Sequence, residues 1–342
     1  MKAVWVSAHG GPDVLELVDR PRPDPGPGEV RIRVRAAALN HLDLWVRRGV
    51  QGHRFPLPLI TGCDGAGEVE ALGEGVLSIR EGERVAIAPG ISCGVCKACC
   101  SGRQNLCRFY GIFGETRDGT DAEWICIPEQ NALLMPDDMS FVDAAATPLV
   151  FLTAWHMLKN RCALQPGETV LVHAAGSGVS MAAIQIARLL GARVLATAGR
   201  PEKLKMGLEL GAEVVINYAE EDFVQSVRDV TSKRGVDVVV DHVGAENISK
   251  SLRCLAKGGR VVTCGATAGP KLESDLRLIF FKSLSLLGST MGGLGDMRDV
   301  WDLVAAGRMR PVVAEVMPLE DVRRAHELLE SRAVFGKVVL ET

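Results

Sequence analysis

The spacing of apolar residues changes rhythm twice along the chain. Over residues 1 to about 148 apolar positions come in short runs cut by Gly and Pro. Val30, Ile32 and Val34 alternate with Arg31, Arg33 and Arg35, which predicts a strand with its arginines on the solvated face. A proline-rich turn, Pro21–Pro27, precedes it. Further strand candidates are Leu59–Ala71, Arg84–Ala88 and Trp124–Ile127, and Asn40–Arg48 reads as a short helix. From about 149 onward short apolar runs alternate with helical periodicity. Strands are expected at Val170–Val172, Val194–Ala196, Val214–Ile216, Val236–Val240, Arg260–Thr263 and Ser285–Leu287, with a helix such as Asn247–Leu255 between two of them. Such a succession predicts a doubly wound parallel sheet, with its ligand crevice at the C-terminal ends of the strands. Past about 310 the rhythm breaks again, into a helix Leu319–Glu330 and a strand Lys337–Leu340 expected to return to the first domain. The expected class is α/β: a β-rich domain over 1–148 completed by 310–342, and a doubly wound domain over 149–309.

The first strand of the second domain leads into a turn of small residues, Ala174, Ala175, Gly176, Ser177, Gly178 and Val179. Apolar residues at helical spacing follow until Gly191. A strand, a tight turn and a helix start let backbone N–H groups approach a pyrophosphate at the positive end of the helix. The glycine pattern is imperfect. In GxGxxG register Ala175 and Ser177 hold the first two glycine places and Ser180 the third.

Composition narrows the function classes. A net charge of −3 and a pI near 6.2 provide no field to gather nucleic acid or an anionic membrane. No apolar run reaches the roughly 18 residues of a spanning helix, and MKAVWVSAHGG lacks the pattern of a signal peptide. A cytoplasmic location is the default expectation. Four of the ten cysteines, Cys93, Cys96, Cys99 and Cys107, fall in one loop as C-x2-C-x2-C-x7-C. Four thiolates on a short loop suit a closed, structural tetrahedral zinc. An iron–sulfur cluster also takes four cysteines, usually at other spacings. Cys100 competes with Cys99 as third ligand, and the spacing favours Cys99.

With these features in view the chain resembles the medium-chain dehydrogenase/reductase superfamily, the zinc alcohol dehydrogenase and quinone oxidoreductase group, over essentially its full length. The resemblance rests on PGPGEV at Pro25–Val30, the glycine-rich Gly62–Gly67, Gly73–Gly75, the cysteine loop, the cofactor turn, and FGKVVL at Phe335–Leu340. It implies a GroES-like catalytic domain, a Rossmann domain, an active site in the cleft between them, hydride transfer with a nicotinamide cofactor, and a homodimer or homotetramer. It also implies cofactor contacts at Thr153, Gly265, Ser289 and Lys337.

The departures from the family pattern bear on mechanism. Zinc alcohol dehydrogenases hold a catalytic zinc on a cysteine, the histidine of a GHE motif and a second cysteine. Here those positions are Asn40, Cys63 (with Asp64 for the glutamate) and, near the third, Leu149. An amide and an aliphatic side chain do not make a three-ligand site, and His41 and Cys63 with Asp64 stand as the alternative set of metal ligands. Asn40 with Asp43 resembles the zinc-free quinone and enone reductases instead. The expected catalytic residues are Asn40 as a hydrogen-bond donor to an enolate, His41 as proton relay, phosphate contact or structural residue, and Asp43 orienting its neighbours. Trp45 and Phe113 are either pocket lining or core.

An NAD enzyme of this fold usually carries a carboxylate at the end of the second Rossmann strand. Thr197, Ala198 and Gly199 stand there instead, followed by Arg200 and Lys203. Two cations and no acid favour the 2′-phosphate of NADP(H), and Tyr218 resembles a phosphate contact of the quinone reductase branch. The resulting expectation is an NADP(H)-dependent reductase of a quinone or an activated double bond (enal, enone or enoyl thioester) that keeps one structural zinc and lacks a catalytic one. The alternatives are an alcohol dehydrogenase, and a cofactor-binding redox sensor or structural protein without turnover.

Overall fold

Each of the six apolar runs expected in the second domain is a strand. In the computed structural model, which describes all 342 residues, they form one parallel sheet. Its spatial order is Val214–Asn217, Arg193–Ala198, Thr169–Val172, Val236–Val240, Leu255–Thr263 and Ser285–Gly288. The central runs are apolar throughout because both faces are covered: Val170, Leu171, Val172, Val238, Val239 and Val240 are fully buried. The strand order reverses direction beside Thr169–Val172, so the turn after it opens at the switch point where such sheets take ligands. That turn leads into the helix Gly178–Leu189, capped by the Ser177 side chain accepting from the Ser180 N–H. The helix buries Met181, Ala182, Ile184 and Ile186 and stops before Gly191, whose φ of +82° continues no helix.

The chain divides into two compact units, Val150–Met291 and Met1–Leu149 with Gly292–Thr342. The return expected near 310 therefore comes at Gly292. The helix Leu294–Ala305 buries Met297, Val300, Trp301 and Val304, and the Trp301 indole donates to the Leu134 carbonyl at 2.9 Å, within the first unit. Periodicity alone does not tell which domain an amphipathic helix covers.

In this first unit seven strands share a sheet. The path runs Ala132–Leu134, Arg84–Ile87, Asp64–Leu72, Glu29–Ala38, Lys337–Glu341 and Val313–Pro318, and Trp124–Pro128 also pairs with Glu29–Ala38. The stretch expected as one wall, Leu59–Ala71, is two strands, Leu59–Ile60 and Asp64–Leu72. Gly62 breaks it with a φ of +91°, and a Cβ there would lie 2.5 Å from Asp121 Oδ1. The expectation that all three arginines of the alternating strand face solvent fails at Arg31, which is buried. Arg31 Nε donates to Glu70 at 2.8 Å, and its Nη1 donates to Asp24 at 3.0 Å and to the Pro23 carbonyl. The proline-rich turn and the neighbouring strand fold over it. The expected helix Leu319–Glu330 is a short turn, Leu319–Asp321, followed by the helix Val322–Glu330. No helix of the protein is long and apolar enough to cross a membrane.

Candidate active site and metal centre

Three strands of the first unit bring a polar cluster together. Antiparallel pairing sets Ala38 opposite Asp64 on one side and Val339 on the other. Asn40, two residues beyond Ala38, then meets side chains from both neighbours. Lys337 Nζ donates to Asn40 Oδ1 at 2.6 Å and to Asp64 Oδ2 at 3.1 Å. The Asn40 amide nitrogen donates to Asp64 Oδ2 at 2.9 Å, with the Cys63 thiol and the Ala38 carbonyl each at 3.2 Å. Asp64 Oδ1 accepts the backbone N–H of Leu149 at 2.9 Å. Asp64 is fully buried, and Lys337 and Asn40 expose 3% and 5%. The cluster is thus a dry, hydrogen-bonded ion pair.

This geometry revises two expectations. Asn40 was expected to offer its amide to a substrate, but both of its hydrogens and its oxygen are taken within the cluster. Lys337 was expected at the cofactor, and its ammonium is instead buried between Asn40 and Asp64. A catalytic zinc does not fit these residues. The family's two cysteines and histidine are replaced here by the Asn40 amide, the Cys63 thiol and the Leu149 side chain, and both Asp64 oxygens are engaged, by Leu149, Asn40 and Lys337. Lys337 already supplies the positive charge.

Asn40 also begins the helix His41–Arg48, and its backbone N–H donates to Asp43 Oδ2 at 2.6 Å. Asp43 is 1% exposed, and its Oδ1 is buried without a partner. Burial first, and then the nearby Asp121, raise its carboxyl to about 8. Asp121 is likewise buried, accepts from Thr61 Oγ1 at 2.7 Å, leaves Oδ1 unpartnered, and is raised by burial to about 6. Reading the sequence missed Asp121 and Thr61. His41 opens the same helix, half-buried, and Phe113 is fully buried in the β-rich core.

In the second unit the serines that replace glycines have structural work. Ser180 Oγ donates to the His173 carbonyl at 2.6 Å, and His242 Nε2 lies 2.9 Å from Ser177 Oγ and 2.8 Å from Ser180 Oγ. Ala174 has a φ of +54°, so a residue with a side chain makes the turn that glycine usually makes. Ala175 is fully buried. At the end of the second Rossmann strand the Tyr218 ring covers Gly199, where a Cβ would lie 2.8 Å from it. The Lys203 stem lies over Gly176, with its Cδ 2.6 Å from where a Cβ would be. Arg200 is exposed at the start of the next helix. Lys203 therefore lies over the turn and Tyr218 over the end of the second strand, where no acid stands. Gly265 and Ser289 both lean on Thr263: the Gly265 carbonyl accepts from its hydroxyl and the Ser289 N–H donates to its carbonyl. Thr153 is buried, with its hydroxyl 3.9 Å from the Met291 sulfur.

The four expected cysteines converge. The ligand atoms of Cys93, Cys96, Cys99 and Cys107 lie within 4.8 Å of one another. Sulfur separations of 3.6 Å (Cys96–Cys99), 3.6 Å (Cys93–Cys107) and 3.9 Å (Cys93–Cys99) match the edges of a tetrahedron with metal–sulfur bonds of about 2.3 Å. Cys100 turns away, its thiol 3.4 Å from the Val95 carbonyl. The thiols interact strongly with one another: Cys99 is lowered to about 6, with a side-chain hydrogen bond from Ser92 the largest influence, while Cys96 is raised to about 11.

Residues 26–137 match the alcohol dehydrogenase GroES-like domain, and residues 178–306 match the zinc-binding dehydrogenase domain. A quinone oxidoreductase of Salmonella typhimurium is 33% identical, the match covering 97% of each chain. A solved structure described as an NAD-dependent alcohol dehydrogenase is 49% identical, with a TM-score of 0.97 over the whole of both chains. A cobalt- and zinc-bound thermostable alcohol dehydrogenase from Pyrobaculum aerophilum is 35% identical, with a TM-score of 0.90 over 100% of this chain and 99% of that one. With a GroES-like unit, a Rossmann unit and full-length relatives of both kinds, the chain belongs to the medium-chain dehydrogenase/reductase superfamily and is an oxidoreductase of its alcohol dehydrogenase and quinone oxidoreductase group.

Proposed function

We propose that the protein is an NADP(H)-dependent reductase that delivers hydride to a quinone or to the activated double bond of an enal, enone or enoyl thioester, without a catalytic metal. The observation that carries this reading is the ammonium of Lys337 bound to Asn40 and Asp64, where the alcohol dehydrogenases of the family hold zinc. Reducing an unactivated ketone needs a Lewis acid for the developing alkoxide. An electron-poor quinone or enone accepts hydride more easily, and hydrogen-bond donors suffice for its developing charge.

A bound nicotinamide supplies the hydride. The chain's part is to hold it: N–H groups at the start of the helix Gly178–Leu189 face the pyrophosphate, and Arg200, Lys203 and Tyr218 take the 2′-phosphate. Losing a charged hydrogen bond costs about 1.5–3 kcal/mol. Lys203→Ala is therefore expected to weaken NADPH binding by about tenfold to a hundredfold and to leave NADH binding within about twofold, as read by fluorescence titration. Equal losses for both cofactors would remove the 2′-phosphate from its role.

The structural metal in this reading is one zinc on Cys93, Cys96, Cys99 and Cys107. Cys99→Ser is expected to lose the zinc and Cys100→Ser to keep it, as counted by elemental analysis of the purified variants. Loss in both would show that the loop depends on Cys100 as well.

A second reading, an alcohol dehydrogenase, is favoured by one observation: the 49% identity to the structure described as an NAD-dependent alcohol dehydrogenase. One panel separates the two. NADPH oxidation by quinones, enals and enones, with little NAD+ or NADP+ reduction by alcohols, supports the reductase; the reverse supports the dehydrogenase.

A further inference from the structure

We propose that Tyr110 is the donor that holds the carbonyl oxygen of the substrate, an inference that rests on the reductase reading above. Its phenol oxygen is buried and has no hydrogen-bond partner. A buried hydroxyl left unpaired is costly, so an orphan donor calls for the acceptor that completes it.

The surroundings are built to hold that hydroxyl in place. Tyr110 follows the cysteine loop, and its N–H donates to the Cys107 carbonyl at 3.0 Å. The next two residues pair as a strand, Gly111–Ile112, with Gly90–Ile91. Gly90 makes the space: a Cβ there would lie 2.4 Å from the Tyr110 oxygen. Any other residue at 90 would displace the phenol. The ionisable groups that act on the hydroxyl are Glu115 and Cys63. Four residues on from Tyr110, Gly114 packs against the Gly62 backbone, where a Cβ would lie 2.4 Å from the Gly62 carbonyl oxygen, so the segment that carries Tyr110 runs beside Cys63 and the Asn40–Asp64–Lys337 cluster.

No carboxylate of that cluster is left to accept from Tyr110. Both Asp64 oxygens are engaged, by Leu149, Asn40 and Lys337. A carbonyl oxygen brought in by a ligand is neutral at first and gains charge as hydride arrives at the conjugated carbon. A phenol O–H aimed at it binds the ground state modestly and the enolate more strongly, which is the differential that speeds a reaction. Asn40, whose hydrogens are spent within the cluster, does not compete for this role.

The test compares wild type with Tyr110→Phe on two independent readouts. Turnover is measured on the best enone or quinone of the panel. Binding is followed by the infrared stretch of 2-cyclohexenone carrying 13C at its carbonyl, bound to protein saturated with NADP+. The expected result is a fall in kcat/KM of about a hundredfold, an unchanged dissociation constant for NADPH, and a carbonyl stretch moved to higher frequency in the variant. The same stretch in both proteins, or an unchanged kcat/KM, would overturn the proposal. If Tyr110→Phe fails to fold by circular dichroism, both readouts pass to Gly90→Ala, which keeps the phenol but displaces its hydroxyl; wild-type values there overturn it equally. If no carbonyl compound of the panel is reduced and the stretch still depends on Tyr110, the reductase reading falls and the oxygen site stands.

Discussion

Replacing Lys337 by methionine is expected to destabilise the first unit by about 3–5 kcal/mol, the usual cost of removing one partner from a buried ion pair. Methionine fills much the same volume but leaves the fully buried Asp64 with no cation and the Asn40 carbonyl with no donor. The loss should appear as a lower midpoint in urea, with the transition of the Rossmann unit left in place if the two unfold separately. Lys337→Arg keeps the charge on a larger fork and should recover part of the loss. A change below about 1 kcal/mol in the methionine variant, the range of exposed ion pairs, would mean that the ammonium does not hold this cluster together.

The second large effect is on pH dependence. Asp43 ionises at about 8 in the folded protein against 3.8 as a free side chain, and Asp121 at about 6. Folding raises both values, so the folded state binds their protons more tightly. Stability is then fully present below about pH 4 and falls as pH climbs through the folded values. Two buried histidines oppose this. Burial lowers His173 to about 4 and His326 to about 3, so each adds stability as pH rises toward 6.5. Above 6.5 the histidines contribute no further change and Asp43 is left. Between about pH 6.5 and 8 stability is expected to fall with a slope approaching one proton, about 1.4 kcal/mol per pH unit. Asp43→Asn, which keeps the shape and cannot ionise, should flatten that window and be the more stable protein at pH 8. The groups acting on Asp43 are Asp121, Lys337 and Asp64. An equal slope in the asparagine variant would assign the titration to one of these neighbours.

Much of the fold was legible because its signals are local. Runs such as Val170–Val172 and Val236–Val240 are short, β-branched and bounded by turns, and each became a buried parallel strand. The cysteine loop announced its convergence by spacing, and the geometry separated Cys99 from Cys100 by turning the second thiol outward. The illegible parts depend on contacts far apart in sequence. Lys337 opens an apolar strand and is expected from the resemblance at the cofactor, and its partner Asp64 lies 273 residues away. Asn40 shows in sequence only as a donor at a helix start; that its hydrogens are already spent follows from a three-strand register. Asp121 sits in an unremarked turn, GTDAEW, and matters because it is buried where its charge raises the Asp43 carboxyl. A buried acid is invisible in a sequence unless its neighbours are known. Tyr110 is missed for a similar reason, since nothing along the chain shows that its hydroxyl lacks a partner.

The central claim is that hydride reaches carbon without help from a metal ion, and counting metal in the working enzyme tests it most directly. Elemental analysis of protein that actively reduces a quinone or enone should give one zinc per chain, with Cys63→Ala leaving that count unchanged. Two zincs per chain, falling to one in Cys63→Ala together with activity, would contradict the account and place a catalytic metal where Lys337 now stands.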